Sequence, residues 1–185
     1  PFVLLRLNPQ NKNCNTASTR LKIDGCGDAM LNVGQFKNLV VAPTLSLLPI
    51  GGLKTAVNLV TGTALVESRL TYLRQVPNGP ALGVFQMEFA TYTDIWKNFL
   101  AYRKPLAEVV KGLRVAGLTE SENLIMNLAY AAAMCRVHYL RSSDPMPDAD
   151  DALGMAKLWK KHYNTIHGAG KVEHATPLFK QAIES

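Results

Sequence analysis

The feature that most constrains this chain is a set of apolar residues at three- and four-residue spacing that ends on an acid. Leu53, Ala56, Val57, Val60, Ala64 and Glu67 share one stripe of an α-helix, because about 3.6 residues complete a turn. Such a stripe must be covered, so the chain has to build a helical core around it. A glutamate continuing a buried stripe is a local conflict of the kind that functional sites carry. Its carboxyl is poorly solvated, which raises the pKa and keeps a proton available at neutral pH. The structural alternative is a buried glutamate paired with Arg69 or Arg74.

The rest of the chain repeats the helical period. Phe36–Leu48 is apolar on one side and stops near Pro49. A helix is expected from Thr91 or Thr93, either of which can cap, through Ile95, Phe99 and Tyr102 to Pro105, with a short one over Leu106–Leu113. Thr119-Glu120-Ser121-Glu122 reads as a capping box before a long helix to about Leu140,. Its core stripe is Leu124, Leu128, Ala131, Ala132 and Cys135. Asp148-Ala149-Asp150-Asp151 places negative charge at the start of a helix ending near Tyr163,. Gly168-Ala169-Gly170 ends the regular structure, and Thr176-Pro177 opens a last helix to Ile183,. Between Val76 and Gly83, Asn78-Gly79-Pro80 breaks any helix,. Residues 1–36 differ: they are turn-rich, without helical period, and offer short strands at Phe2–Leu7 and Arg20–Ile23,.

The motifs around the acid point to a glycan. Glu67-Ser68 is followed by Gly79-Pro80-Ala81-Leu82-Gly83-Val84-Phe85-Gln86-Met87. Glycines allow close backbone approach, and a glutamine amide can hydrogen-bond a sugar. A protonated carboxylic acid beside a sugar cleft is what a glycosidic oxygen needs in order to leave. Thr63-Ala64-Leu65-Val66-Glu67-Ser68-Arg69, then Gly83-Val84-Phe85-Gln86-Met87, then Tyr163-Asn164 resemble the three successive motifs of soluble lytic transglycosylases and goose-type lysozymes. The resemblance covers roughly residues 37–185. Gly79–Arg103, Asn123–Arg141 and Trp159–Lys171 also resemble members encoded by tailed bacteriophages. The chain departs from the family at Phe89, near where a proline usually follows Gln-Met, and in a Glu67-to-Gln86 stretch about one residue longer than usual.

The resemblance implies a mainly α, lysozyme-like α+β fold. A helical bundle would surround a glycan cleft, with a small hairpin, residues 1–36 as an irregular or β-rich arm, and residues 37–185 as the domain. It implies a peptidoglycan-cleaving enzyme acting on the bond between N-acetylmuramic acid and N-acetylglucosamine. Glu67 would be the general acid and then the general base. Ser68, Gly83, Gln86, Met87, Tyr163 and Asn164 would bind substrate, with the Tyr163 hydroxyl stabilising developing charge. Many glycosidases use a second carboxylate; Glu88 and Asp94 are the candidates, with Glu88 also readable as a cap. A transglycosylase needs neither, because the muramyl hydroxyl attacks intramolecularly to give a 1,6-anhydro product. Tyr72, Phe85, Tyr92 and Trp96 are candidate sugar-stacking platforms or, at helical spacing, core residues.

Charge and thiols limit the partners. Twenty basic against fourteen acidic residues give a net charge of +6, which favours polyanions such as peptidoglycan with its peptide carboxylates. Trp159-Lys160-Lys161-His162-Tyr163 is the one basic-aromatic cluster and carries no nucleic-acid-binding signature,. Cys14, Cys26 and Cys135 read as reduced thiols, with Cys135 on a buried helix face and a Cys14–Cys26 bridge as the alternative,. His138, His162, His167 and His174 lack metal-ligand spacing,, so neither a metal nor another cofactor is expected. Leu39–Leu53 is uncharged but divided by Pro43, Pro49 and Gly51-Gly52, and is short for a membrane span,. Phe2-Val3-Leu4-Leu5-Arg6 is too short for a secretory signal,. The expectation is a virion protein of a phage tail or baseplate that opens the cell wall locally, docking on other virion proteins through residues 1–36. The competing expectation is a structural tail protein that keeps the fold without turnover.

Overall fold

The stripe that ends on Glu67 becomes helix α3, Leu53–Ser68, in a computed structural model that describes residues 31–164 and 168–185. Within these residues the protein is mainly helical, with one two-stranded sheet. The helical part starts ahead of residue 37. Asn32 caps α1 (Val33–Phe36) by accepting from the Gln35 N–H at 2.9 Å, and Phe36 is buried with its ring 6.1 Å from that of Phe85. A π-helical turn over Lys37–Val41 joins α1 to α2 (Ala42–Ser46). The proposed arm therefore supplies Val33 and Phe36 to the core. Cys14 and Cys26, read as reduced thiols with a bridge as the alternative, and the short strands expected at Phe2–Leu7 and Arg20–Ile23 lie outside the described residues.

Helix α3 ends because Arg69 and Leu70 both take left-handed backbone angles, which turn the chain away. The following segment forms a hairpin of β1 (Ala81–Leu82) and β2 (Met87–Glu88), paired Ala81 with Glu88 and Leu82 with Met87. Gly83 sits between them at φ +69, where a Cβ would lie 2.0 Å from the Leu124 carbonyl oxygen. Only glycine fits that approach.

Helix α4 (Phe89–Asn98) begins at Phe89, not at the expected threonines. Glu88 holds the N-cap position in extended geometry without a side-chain cap, and Thr93 turns its hydroxyl back onto the Phe89 carbonyl at 2.9 Å. A 3₁₀ turn at Leu100–Tyr102 leads into α5 (Lys104–Gly112). The capping box forms as read: Thr119 and Glu122 cap reciprocally at the start of α6 (Glu120–Met126). The expected single helix to Leu140 is broken at Asn127. Its side chain donates to the Leu113 carbonyl at 2.7 Å and accepts from the Tyr130 N–H at 3.1 Å, so it ends α6 and caps α7 (Leu128–Leu140).

Helix α7 is central, with Ala131, Ala132, Ala133, Met134, Cys135 and Val137 almost without exposure. Helices α2, α3, α4, α5 and α6 all pack against it. Cys135 is a free, buried thiol. Asp151 caps α8 (Ala152–Trp159) through the Gly154 N–H at 2.8 Å, and a second π-helical turn, Lys160–Asn164, extends it. The last helix, α9 (Val172–Glu184), opens five residues before Pro177, which lies inside it. Ala175, Leu178, Phe179 and Ala182 bury its apolar face, with the most extensive packing in the molecule made against α3. Burial of side chains the size of Leu59, Leu65 and Phe179 stabilises by about 1.5–3 kcal/mol each,. Among the described residues no helix is long and apolar enough to cross a membrane.

Candidate functional site

A cavity of about 590 Å³ opens where the end of α3, the hairpin, α7 and the π-helical turn converge. Glu67, Gln86, Met87, Tyr163 and Asn164 line it, and so do Glu88 and His138. Three motifs that lie far apart in sequence thus share one cavity.

Glu67 occupies the penultimate position of α3, where the helix dipole disfavours a negative charge,. Burial is the larger effect and pushes its carboxyl up to about 7, opposed by the Trp159 indole N–H, which donates to Oε1 at 2.8 Å. Neither Arg69 nor Arg74 pairs with it. The alternative of a glutamate neutralised by a neighbouring arginine is therefore excluded by the geometry. Near neutral pH this carboxyl exchanges a proton, as a general acid requires.

The hairpin supplies the facing wall. Gln86, at a left-handed φ of 48, donates its side-chain amide to the Gly83 carbonyl at 2.8 Å. That bond fixes the amide plane, and no donor among the described residues reaches Oε1. Met87 is buried beneath the wall. Glu88 is exposed at the rim.

The far wall comes from the π-helical turn. The Tyr163 hydroxyl donates to the Phe85 carbonyl at 2.8 Å, and its ring stacks on Tyr139 and meets the edge of His138. Burial drives the Tyr163 hydroxyl well above its ordinary pKa. Tyr163 therefore ties the hairpin loop to the helical body, and its proton is engaged inside the fold. Asn164 accepts from Lys160 Nζ at 2.8 Å, and the same ammonium reaches the Gly168 carbonyl at 2.7 Å. His138 Nε2 donates to the His162 carbonyl at 2.8 Å, and Nδ1 is buried without a partner among the described residues. Burial lowers its pKa to about 4, so the ring is neutral at physiological pH.

Three expected contacts lie elsewhere. Ser68 is buried: its Oγ donates to the Val84 carbonyl at 2.7 Å, lies 3.1 Å from the Ala64 carbonyl, and accepts from Leu70 N–H. It fastens the hairpin to α3 and does not line the cavity. Gly83 acts through backbone, donating to the Leu73 carbonyl and accepting from Gln86. Asp94 bonds Asn98 and Arg141 outside the cavity, so of the two proposed second carboxylates only Glu88 is within it. Of the proposed stacking platforms, Phe85 and Tyr92 are core, Trp96 is half-buried under Arg114, and Tyr72 alone is exposed.

Sequence reading missed Trp159 and His138. Trp159 precedes Tyr163 by four residues, a spacing that puts both on one helix face, and this was the available signal. His138 gave none, because nothing in its own helix marks the approach of the turn at His162. Among the described residues no three His, Cys, Asp or Glu side chains converge as a metal site. No protein-family model, curated protein or solved structure matches this chain.

Proposed function

We propose that this protein cleaves peptidoglycan glycan strands as a lytic transglycosylase of lysozyme-like fold, with Glu67 as its acid and base. The carrying observation is the Glu67 carboxyl itself: half-buried, unpaired with any cation among the described residues, raised to about 7, and lining a cavity with Gln86, Met87, Tyr163 and Asn164. Glu67 gives its proton to the glycosidic oxygen as the bond from the muramyl C1 breaks. The resulting carboxylate then takes the proton of the muramyl C6 hydroxyl as that oxygen bonds C1, closing the 1,6-anhydro ring. The exchange restores Glu67 and needs no second carboxylate, which fits Asp94 being paired with Arg141. Gln86 offers an amide held at fixed orientation for the N-acetyl region. A place in a phage tail or baseplate, with residues 1–36 docking on other virion proteins, follows from the resemblance to phage members.

A second reading is a structural tail protein that keeps the cavity for glycan binding without turnover. It is favoured by the commitment of Ser68 and Tyr163, two expected substrate contacts, to bonds inside the fold. Digestion of purified peptidoglycan with mass analysis of the products separates the two. Muropeptides one water lighter than hydrolysis products, lost in Glu67→Gln, support the transglycosylase. Reducing-end products would mean hydrolysis and direct attention to Glu88. Binding without any product would establish the structural reading.

A further inference from the structure

We propose that Trp159 is the positioning residue for the acid: its indole N–H selects Oε1 of Glu67 as the accepting oxygen, leaving Oε2 to carry the catalytic proton. This rests on the reading of Glu67 as the acid and adds which oxygen reacts and what holds it there.

The geometry carries the argument. Trp159 Nε1 lies 2.8 Å from Oε1, across 92 residues of chain. An indole nitrogen donates only, and a carbonyl oxygen is a better acceptor than the hydroxyl oxygen of a protonated carboxyl, so the bond favours Oε1 as the carbonyl oxygen with the proton on Oε2. The indole is held rigidly, being buried to 2 % exposure at the end of α8. Gly170 packs against its far edge, where a Cβ would come within 2.3 Å of Cη2. The ring therefore cannot swing away without displacing the strand of chain that forms the cavity wall. Because the N–H stabilises the carboxylate more than the acid, it opposes the effect of burial and lowers the carboxyl pKa,.

The groups around Glu67 whose pKa burial shifts are moved away from its range. From α7, Cys135 and Tyr139 are pushed up by burial, and His138 is held down to about 4. Tyr163 on the π-helical turn is likewise raised. Lys160 is bound to Asn164 and Gly168, and Glu88 is exposed at the rim.

The test replaces the N–H and leaves the shape. Benzothienylalanine at position 159 substitutes sulfur for the indole nitrogen, and Trp159→Phe serves as the simpler variant. The pKa of Glu67 is read directly by ¹³C NMR of a carboxyl-labelled protein, and the pH profile of murein cleavage is measured alongside. Loss of a hydrogen bond to a charged group is expected to raise the Glu67 pKa by about one to two pH units. The alkaline limb of kcat should move up with it, while KM stays within about twofold. An unchanged Glu67 pKa in the benzothienylalanine protein overturns the proposal, whatever the activity. A protein with the expected shift that never cleaves murein would retire the enzymatic reading and leave the hydrogen-bond assignment standing.

Discussion

Two carboxylates, Glu67 and Asp144, behave in opposite ways. Glu67 is half-buried at a helix C-terminus, with the neutral Trp159 indole as its one donor among the described residues, and its pKa rises to about 7. Asp144 accepts from Lys161 at 2.6 Å and from His162 at 2.7 Å, and those donors hold it below the ordinary aspartate range. Ser142 Oγ also meets His162 Nε2, at 3.1 Å. The three groups look like a Ser-His-Asp set, but serine and aspartate share one ring nitrogen, so the histidine cannot pass a proton between them. The contrast teaches that the environment assigns the role. A carboxyl without a cation in low dielectric keeps a proton to give, and one between two donors is spent as a brace.

The largest expected effect breaks the comparison at its functional end. Glu67→Gln keeps the volume and removes the proton donor, so murein cleavage should fall by roughly two to four orders of magnitude with the helical circular dichroism unchanged. Equal clearing by the two proteins would reduce Glu67 to a structural acid.

The second prediction follows from the raised pKa. A carboxyl whose folded pKa lies above its unfolded value stabilises the fold below the unfolded pKa, and that contribution is lost as pH rises through the folded one. For Glu67 the window runs from about 4.5 to about 7, and the full loss is ~3 kcal/mol. His138, lowered to about 4, acts with the opposite sign, losing stability as pH falls from about 6.5 to about 4. Denaturant melts of wild type and Glu67→Gln across pH 4–8 should show a difference that grows with pH in favour of the mutant. A constant difference would place the Glu67 pKa in the ordinary range.

Ser68→Ala sharpens the distinction between wall and chemistry. It orphans the buried Val84 carbonyl and Leu70 N–H, costing about 1–3 kcal/mol. The melting temperature should drop while kcat of the folded protein stays within a few-fold. A collapse of kcat without loss of stability would return Ser68 to the substrate. The smallest effect is expected for Asp144→Asn at the surface, with the melting temperature nearly unchanged at neutral pH and full murein cleavage. Lost activity there would make the His162 side part of the site.

Much of the helical framework was legible because it rests on local rules. The stripe of α3, the Thr119–Glu122 capping box, the negative charge at the start of α8 and the apolar stripe that holds Cys135 are each patterns set within a turn or two of chain. The misses share a cause. Asn127 divides one expected helix because Leu113, fourteen residues away in sequence, offers its carbonyl. Pro177 lies within α9 and not at its start because packing on α3 outweighs one missing backbone bond. At the site, Glu67, Gln86, Met87, Tyr163 and Asn164 were found by motif and do line one cavity. Ser68 and Asp94 were placed there by motif and proximity, and the fold uses them elsewhere.

The sequence alone determined that most of the chain carries a helical period, that one acid continues a buried stripe, and that a glycine-rich turn follows it, since periodicity and backbone freedom are local properties. Tertiary structure decided what that acid is. Its proton affinity depends on how much water and which donors reach it, and the deciding donor, Trp159, lies 92 residues away on a helix whose approach no local pattern encodes.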